Sequence, residues 1–341
     1  MIMRQRIILA VLAFATGLWG VAAEKQSPGG TDGTGASRYP EAEFHNQLLR
    51  ARLYLPDAQR GYYRGTRFDW SGLISRVDYG RHTFFCEFKQ EHDPLNHDDI
   101  CGTADEFGIE APPSFAQAKA GEPFIKIGIG VLERPDDSDY AFWKRYKIQT
   151  PGIWRIERSA DRVSFQHNLQ GPNGWAYDYT KVLEAPAGSP TLKIMRRLKN
   201  TAAQTIQTDQ YDHNFLRIDN DPTGTNYSLE FRFEPRLTPD SRAQGCVAVK
   251  GHALIFTTNP SPEAAIWVRL EGFEKPEDNE VRIVNHRTGA AMTITTDQPL
   301  SKLVFYSSGG VLCPEPFVRV AIAPGRTREW TTTYRFSDEK P

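Results

Sequence analysis

Apolar and polar residues alternate along much of this chain, and the period is two. In residues 48–55, Leu49, Ala51, Leu53 and Leu55 fall on one side and Arg50 and Arg52 on the other, which predicts a half-buried strand. Residues 124–132 place Ile125, Ile127, Ile129 and Val131 opposite Lys126, Gly128 and Gly130, so a single strand is expected there. Glycines at alternate positions leave room for a closely approaching backbone or ligand. Leu229, Phe231 and Phe233 alternate with Glu230, Arg232 and Glu234 until Pro235 ends the run. Residues 190–208 read as strand, turn, strand, with Leu192, Ile194, Leu198 and Ile206 as apolar positions and Lys199-Asn200-Thr201 as the turn. A hairpin is expected over 281–295 across Arg287-Thr288-Gly289, and residues 303–306, 317–322 and 330–336 supply further strands. No convincing amphipathic helix is present, and 27 glycines and 23 prolines punctuate the runs. The pattern predicts an all-β protein of two packed antiparallel sheets.

The N-terminus departs from this pattern. Arg4 and Arg6 precede an apolar run over 7–19, and Val21-Ala22-Ala23 is a small-residue cleavage site, so residues 1–23 are expected to be a signal peptide. Residues 24–43 begin Gly/Ser/Thr-rich and aperiodic and are expected to be a flexible linker. The remainder, 44–338, is long but consistent with a single β-sandwich domain. Without Arg4 and Arg6 the formal charge moves from −1 to −3, a near balance that argues against nucleic acid or an anionic membrane as partner. The expected localisation is periplasmic or secreted, with no membrane association after signal cleavage.

Four cysteines in an exported chain are expected to be oxidised rather than metal-bound. Cys86 and Cys101 flank a polar loop, and a bridge there would contribute about 3 kcal/mol. Cys246 and Cys313 could form a second bridge, or Cys313 could pack as a buried thiol; sequence leaves the pairing open. His92 and His97 lie in that loop among Asp93, Asp98 and Asp99, but the spacing fits no metal motif and the loop reads as solvated, so no metal is expected. A Gly-rich phosphate loop, a Gly-x-Ser-x-Gly elbow and a zinc-protease helix are all missing from the sequence.

Candidate chemistry centres on His213, flanked by Asp212 and Asn214, and on Glu315, set between Pro314 and Pro316 at the mouth of a strand. Such a histidine is either a structural hydrogen-bonder or one half of an acid–base pair. Arg64, Arg67, Asp69 and Trp70 form a second cluster of types suited to a sugar: charged groups for vicinal hydroxyls and an indole for the C–H face of the ring. The same four residues would equally suit a hairpin with an Arg–Asp pair. Glu106 is a further hydroxyl acceptor or a surface carboxylate.

Lys199-Asn200-Thr201, then Tyr211-Asp212-His213-Asn214-Phe215, then Cys313-Pro314-Glu315-Pro316 resembles the order found in the galactose mutarotase (aldose 1-epimerase) superfamily. The resemblance covers about residues 48–336 and rests on these three short segments. The early His-Gly-Phe-x-Arg segment of the mutarotases is not found, and Cys101 to Gly108 is the nearest stretch. The resemblance implies a large antiparallel β-supersandwich, no cofactor, a monosaccharide or glycan ligand and a monomer. It implies that protonated His213 donates to the ring oxygen while ionised Glu315 takes the C1 hydroxyl proton, the two lying about one sugar ring apart in an open cleft. Asp212 and Glu106 are expected to hold His213 charged, and Asn214 to contact substrate. Two rival readings are a non-catalytic carbohydrate-binding or glycan-assembly protein on the same sandwich and, more weakly, a lyase or hydrolase of uronic-acid polymers.

Overall fold

The computed structural model describes residues 38–89 and 91–339, so the stretch read as a signal peptide and the part of the expected linker up to residue 37 lie outside the described residues. The strand Glu41–His45 buries Ala42 and Phe44, so the folded body begins before residue 44, within the stretch read as linker. The polar residues Glu41 and Glu43 conceal this strand among its aperiodic neighbours.

Two large antiparallel sheets dominate. The first has ten strands, in the order Val247–Lys250, Ala253–Phe256, Tyr227–Phe231, Glu280–Asn285, Ala290–Thr296, Thr327–Asp338, Thr191–Asn200, Ala176–Glu184, Arg162–Gln170 and Ile153–Arg158. The second has six, in the order Arg236–Leu237, Ile266–Glu271, Lys302–Ser308, Val311–Ile322, Ile206–Phe215 and Gly102–Phe107. They meet face to face. Phe107, Ile206, Val318 and Val320 of the smaller sheet share a buried cluster with Tyr177, Leu198 and Trp330 of the larger. Removing such side chains from water is the main favourable term holding the layers together.

The alternating runs form strands as expected over Leu49–Tyr54, Thr191–Asn200 and Tyr227–Phe231, and the hairpin Glu280–Asn285 to Ala290–Thr296 is present. Residues 124–132 differ. They form two short strands, Pro123–Lys126 and Gly130–Glu133, because Gly128 and Gly130 adopt positive φ of 79° and 147° and reverse the chain. Both glycines admit close neighbours, as their spacing suggested: a Cβ on Gly128 would meet the Asp69 side chain at 2.6 Å, and one on Gly130 the Thr150 carbonyl at 2.0 Å.

The expected disulfides are not formed; all four cysteines are free thiols. Glu87, not Cys86, stands across from Cys101, and Cys86 Sγ faces the Phe215 carbonyl at 3.8 Å. Cys246 and Cys313 belong to separate core clusters. The polar loop is not solvated as read, since His92 bonds Asp99 and the Tyr62 carbonyl, each at 2.7 Å, and stacks on the Tyr62 ring.

Between the two sheets lies a buried charge cluster. Asp105 and Asp212 accept from the Arg196 guanidinium, and Lys181 lies 3.0 Å from Asp105 and 3.4 Å from Asp69. Three carboxylates face two cations. Burial opposes ionisation of Asp105, but Arg196 and Lys181 outweigh it and hold that carboxyl below its usual range. Burial pushes Asp69 and Asp212 the other way, against Lys181 and Arg196 respectively.

Two outcomes follow from this packing. Thiol titration of the unfolded chain without reductant should give all four cysteines; only two would restore a bridge. Arg196→Met strips the counter-charge from two buried carboxylates and should cost about 3–5 kcal/mol in denaturant unfolding, the usual loss when one partner of a buried pair is removed.

Candidate active site

The strand Ile206–Phe215 is paired on both sides, and its two faces do different work. Gln210, Asp212 and Asn214 look into the layer between the sheets, where Asp212 meets Arg196 and Thr332, Gln210 meets Trp330, and Asn214 accepts from Tyr334 at 2.9 Å. Tyr211, His213 and Phe215 look the opposite way, as a period of two requires.

Neighbouring strands extend that second face. Glu106 pairs directly with Tyr211 from one side and Phe317 pairs with it from the other. The same register carried along the strand sets His213 opposite Glu315 and reaches the isolated pair Leu216 and Leu312. The regular ladder is interrupted between Tyr211/Phe317 and Leu216/Leu312, where Pro314 and Pro316 have no N–H to give. The Asn214 amide fills part of the gap by donating to the Pro314 carbonyl at 2.8 Å. On its other side the same stretch pairs without interruption with Lys302–Ser308, Val304 standing opposite Glu315.

His213 Nε2 lies 3.0 Å from Glu315 Oε1. Both residues are buried, at 4% and 5% exposure. His213 is stacked on Phe215, with ring centroids 4.2 Å apart, and receives the edge of Phe68. Its other nitrogen, Nδ1, is buried with no hydrogen-bond partner. Beside this pair, Arg67 Nε donates to Glu106 Oε2 at 2.8 Å and its terminal nitrogen to the Tyr211 hydroxyl at 2.9 Å, while that hydroxyl donates to Glu106 at 2.6 Å. The guanidinium is sandwiched by the Phe68 and Phe142 rings. Buried Lys126 reaches Glu106 at 3.4 Å and the Tyr140 hydroxyl at 3.0 Å.

This geometry corrects the expected charge states. Burial, reinforced by Arg67, pushes His213 well below the ordinary imidazole range. Burial also raises Glu315 to about 8, with Arg67 only partly opposing it. At neutral pH the pair is a neutral imidazole facing a protonated carboxyl, not an imidazolium facing a carboxylate. One proton is held between them in either description. Their direct contact likewise replaces the expected spacing of one sugar ring, and no open cleft separates them.

Of the residues singled out by sequence, the fold brings together His213, Glu315, Arg67 and Glu106. It places five others elsewhere. Asp212 faces away from His213 and cannot sustain its charge by contact. Asn214 is spent on backbone and Tyr334 contacts. Asp69 accepts from Ser71 and Tyr179 and lies near Lys181, and Trp70 is buried with its indole N–H on the Gly65 carbonyl at 2.9 Å. Arg64 sits three residues before Arg67 and lines a surface concavity. Tyr211 and Lys126 were missed. Tyr211 was legible, being two residues from His213 on a strand; Lys126 was not, since its apolar-looking run gave no sign of a buried ammonium.

No family model and no curated protein matches the chain. Solved structures do match in shape, and many of them are galactose mutarotase-like or aldose 1-epimerase family proteins. A putative aldose 1-epimerase from Escherichia coli superposes with a TM-score of 0.54 at 13% identity, covering 87% of this chain and 99% of that one. A galactose mutarotase-like protein from Clostridium acetobutylicum gives 0.54 at 10% identity, covering 87% and 95%. A protein from Synechocystis gives 0.55 at 12% identity, covering 89% and 97%. The fold is the galactose mutarotase-like β-sandwich.

The raised Glu315 pKa has a consequence for stability. Between the unfolded value near 4.5 and the folded value of about 8, the folded chain keeps a proton that the unfolded chain has lost, so this group's contribution is complete below 4.5 and declines as pH rises to 8. Glu315→Gln removes the dependence, so its melting temperature should gain on the wild type steadily from pH 5 to 8 and level off above. The span corresponds to at most on the order of 5 kcal/mol. A constant offset across that range, read by thermal unfolding, would mean that Glu315 titrates normally.

Proposed function

We propose that this protein is an aldose 1-epimerase-like enzyme that interconverts the anomers of a sugar or sugar derivative, with His213 and Glu315 as its acid–base pair. The observation that carries the reading is the buried contact of 3.0 Å between these two side chains, within a sandwich of this shape. Opening a hemiacetal ring needs one proton delivered to the ring oxygen and one removed from the C1 hydroxyl. A pair that holds one proton over two basic sites does both at once: the protonated member gives, the C1–ring oxygen bond breaks, and the other member accepts as the aldehyde forms. The pair still holds one proton afterwards. Rotation about C1–C2 and reclosure with the roles exchanged give the other anomer, and no redox change occurs.

His213 is assigned as donor to the ring oxygen and Glu315 as acceptor, which requires the proton to cross the existing hydrogen bond as the sugar parts the two groups. The sugar's hydroxyls would then stabilise the charged distribution that burial disfavours, with Arg67 favouring its carboxylate member. Arg67 and Glu106, bonded to each other beside the Phe68 and Phe142 rings, would take vicinal hydroxyls. Export of the protein is part of the same proposal and is supported by the N-terminal pattern.

A second reading, a sugar-binding protein without turnover, is favoured by one observation: the two groups touch and leave no space for a ring between them. Exchange NMR on freshly dissolved aldoses and uronic acids separates the two. The enzyme reading expects Glu315→Gln and His213→Asn each to lower the exchange rate by at least two orders of magnitude, the contribution typical of a positioned acid or base, with far smaller changes in affinity. Wild-type activity should hold through neutral pH and fall above about 8 as the pair loses its last proton. Sugar binding with no acceleration of exchange leaves the binding reading standing.

A further inference from the structure

The same segment that supplies Arg67 also contributes to a concavity of about 410 Å³ that the acid–base chemistry does not use. Arg64, Arg145 and Lys147 line it, with Thr66 and Tyr146 between them, and no aspartate or glutamate is among the lining residues. Two separate stretches of chain are tied together here. The Thr66 hydroxyl accepts from the Tyr146 N–H at 3.2 Å and donates to the Lys144 carbonyl at 3.3 Å, which fixes Arg64 and Arg145 on one wall system. Lys147 is shared with Glu133, which lies outside the lining, at 2.8 Å. Arg64 Nε is buried and has no hydrogen-bond partner.

A buried guanidinium N–H without an acceptor is costly to maintain, and an arginine fork fits a planar or tetrahedral oxyanion better than it fits water. We propose that this concavity binds an anionic substituent, a carboxylate, sulfate ester or phosphate ester, carried by the sugar that the neighbouring site takes. The proposal rests on the sugar reading of that site and narrows it to acidic sugars. Arg64, three residues from Arg67, is the link. One stretch of chain holds the guanidinium bonded to Glu106 and the one left without an acceptor.

The test is calorimetric titration of the full chain with glucose, glucuronate, glucose 6-sulfate and glucose 6-phosphate at low ionic strength. At least one acidic sugar should bind ten-fold or more tightly than glucose, and which one does so identifies the substituent. That preference should shrink several-fold in 0.5 M salt, since charge recognition at a partly exposed site is screened. Arg64→Gln and Arg145→Gln should each reduce it, and the double variant should abolish it. Arg145→Lys should retain part of it. Thermal unfolding checks that the variants fold, and Arg145 is exposed enough for its replacement to be benign. Equal affinity for glucose and all three acidic sugars overturns the proposal. So does a preference that survives in the double variant, or binding of none of the four. The readout is independent of turnover: an acid preference without anomer exchange upholds this subsite and overturns the epimerase, whereas exchange of neutral sugars without the preference does the reverse.

Discussion

The candidate site depends on the two-residue period of the strand Ile206–Phe215, which lies between two hydrogen-bonded neighbours and presents functional groups on both faces. One face is anchored by the contact of Asp105 and Asp212 with Arg196 in the layer between the sheets. That anchoring fixes the strand's register and rotation, and so fixes where Tyr211 and His213 point on the opposite face. Breaking the register by one residue would bring Asp212 to the site and send His213 into the interior. The charge cluster is thus a structural counterpart of the acid–base pair, joined to it by one strand.

Proline placement complements this constraint. Pro314 and Pro316 bracket Glu315 and withhold two N–H groups from the ladder at the point where the carboxyl faces His213. The ladder is interrupted only on the side that faces Ile206–Phe215; on the other side Val304 pairs with Glu315 in an unbroken register. Burial then sets the protonation: both His213 and Glu315 are driven toward their neutral forms, and a single proton lies on the hydrogen bond between them.

Much of the architecture could be read from alternation. The strands Leu49–Tyr54, Thr191–Asn200 and Tyr227–Phe231 and the late hairpin were visible because apolar and polar positions alternate along them, whereas Gly102–Phe107, which carries Glu106, is buried along its whole length and gave no such pattern. His213 and Glu315, paired on the sequence, are in contact in the fold. The expectation for Asp212 failed although its reason was in the sequence, since adjacent strand residues face opposite ways. Asp69 failed for a different reason: its partner Lys181 is over a hundred residues away, and only the packing of two sheets brings them together. The charge states of His213 and Glu315 could not be read from sequence either, because they are set by how completely Phe68, Phe215 and Arg67 exclude water. Residues 124–132 looked like one strand because alternation persists through a tight hairpin, and only the positive φ of Gly128 and Gly130 reverses it.

The chemistry of the site turns on the state of a single proton, and the imidazole reports it. Nitrogen-15 NMR of the histidine side chains, with His213 assigned by its loss in His213→Asn, reads the protonation of each ring nitrogen directly. His213 should be neutral at pH 7, with Nε2 accepting a hydrogen bond, and the Nε2 shift should change near pH 8 as Glu315 loses its proton. An imidazolium at pH 7, with both nitrogens protonated and no transition near 8, would contradict this.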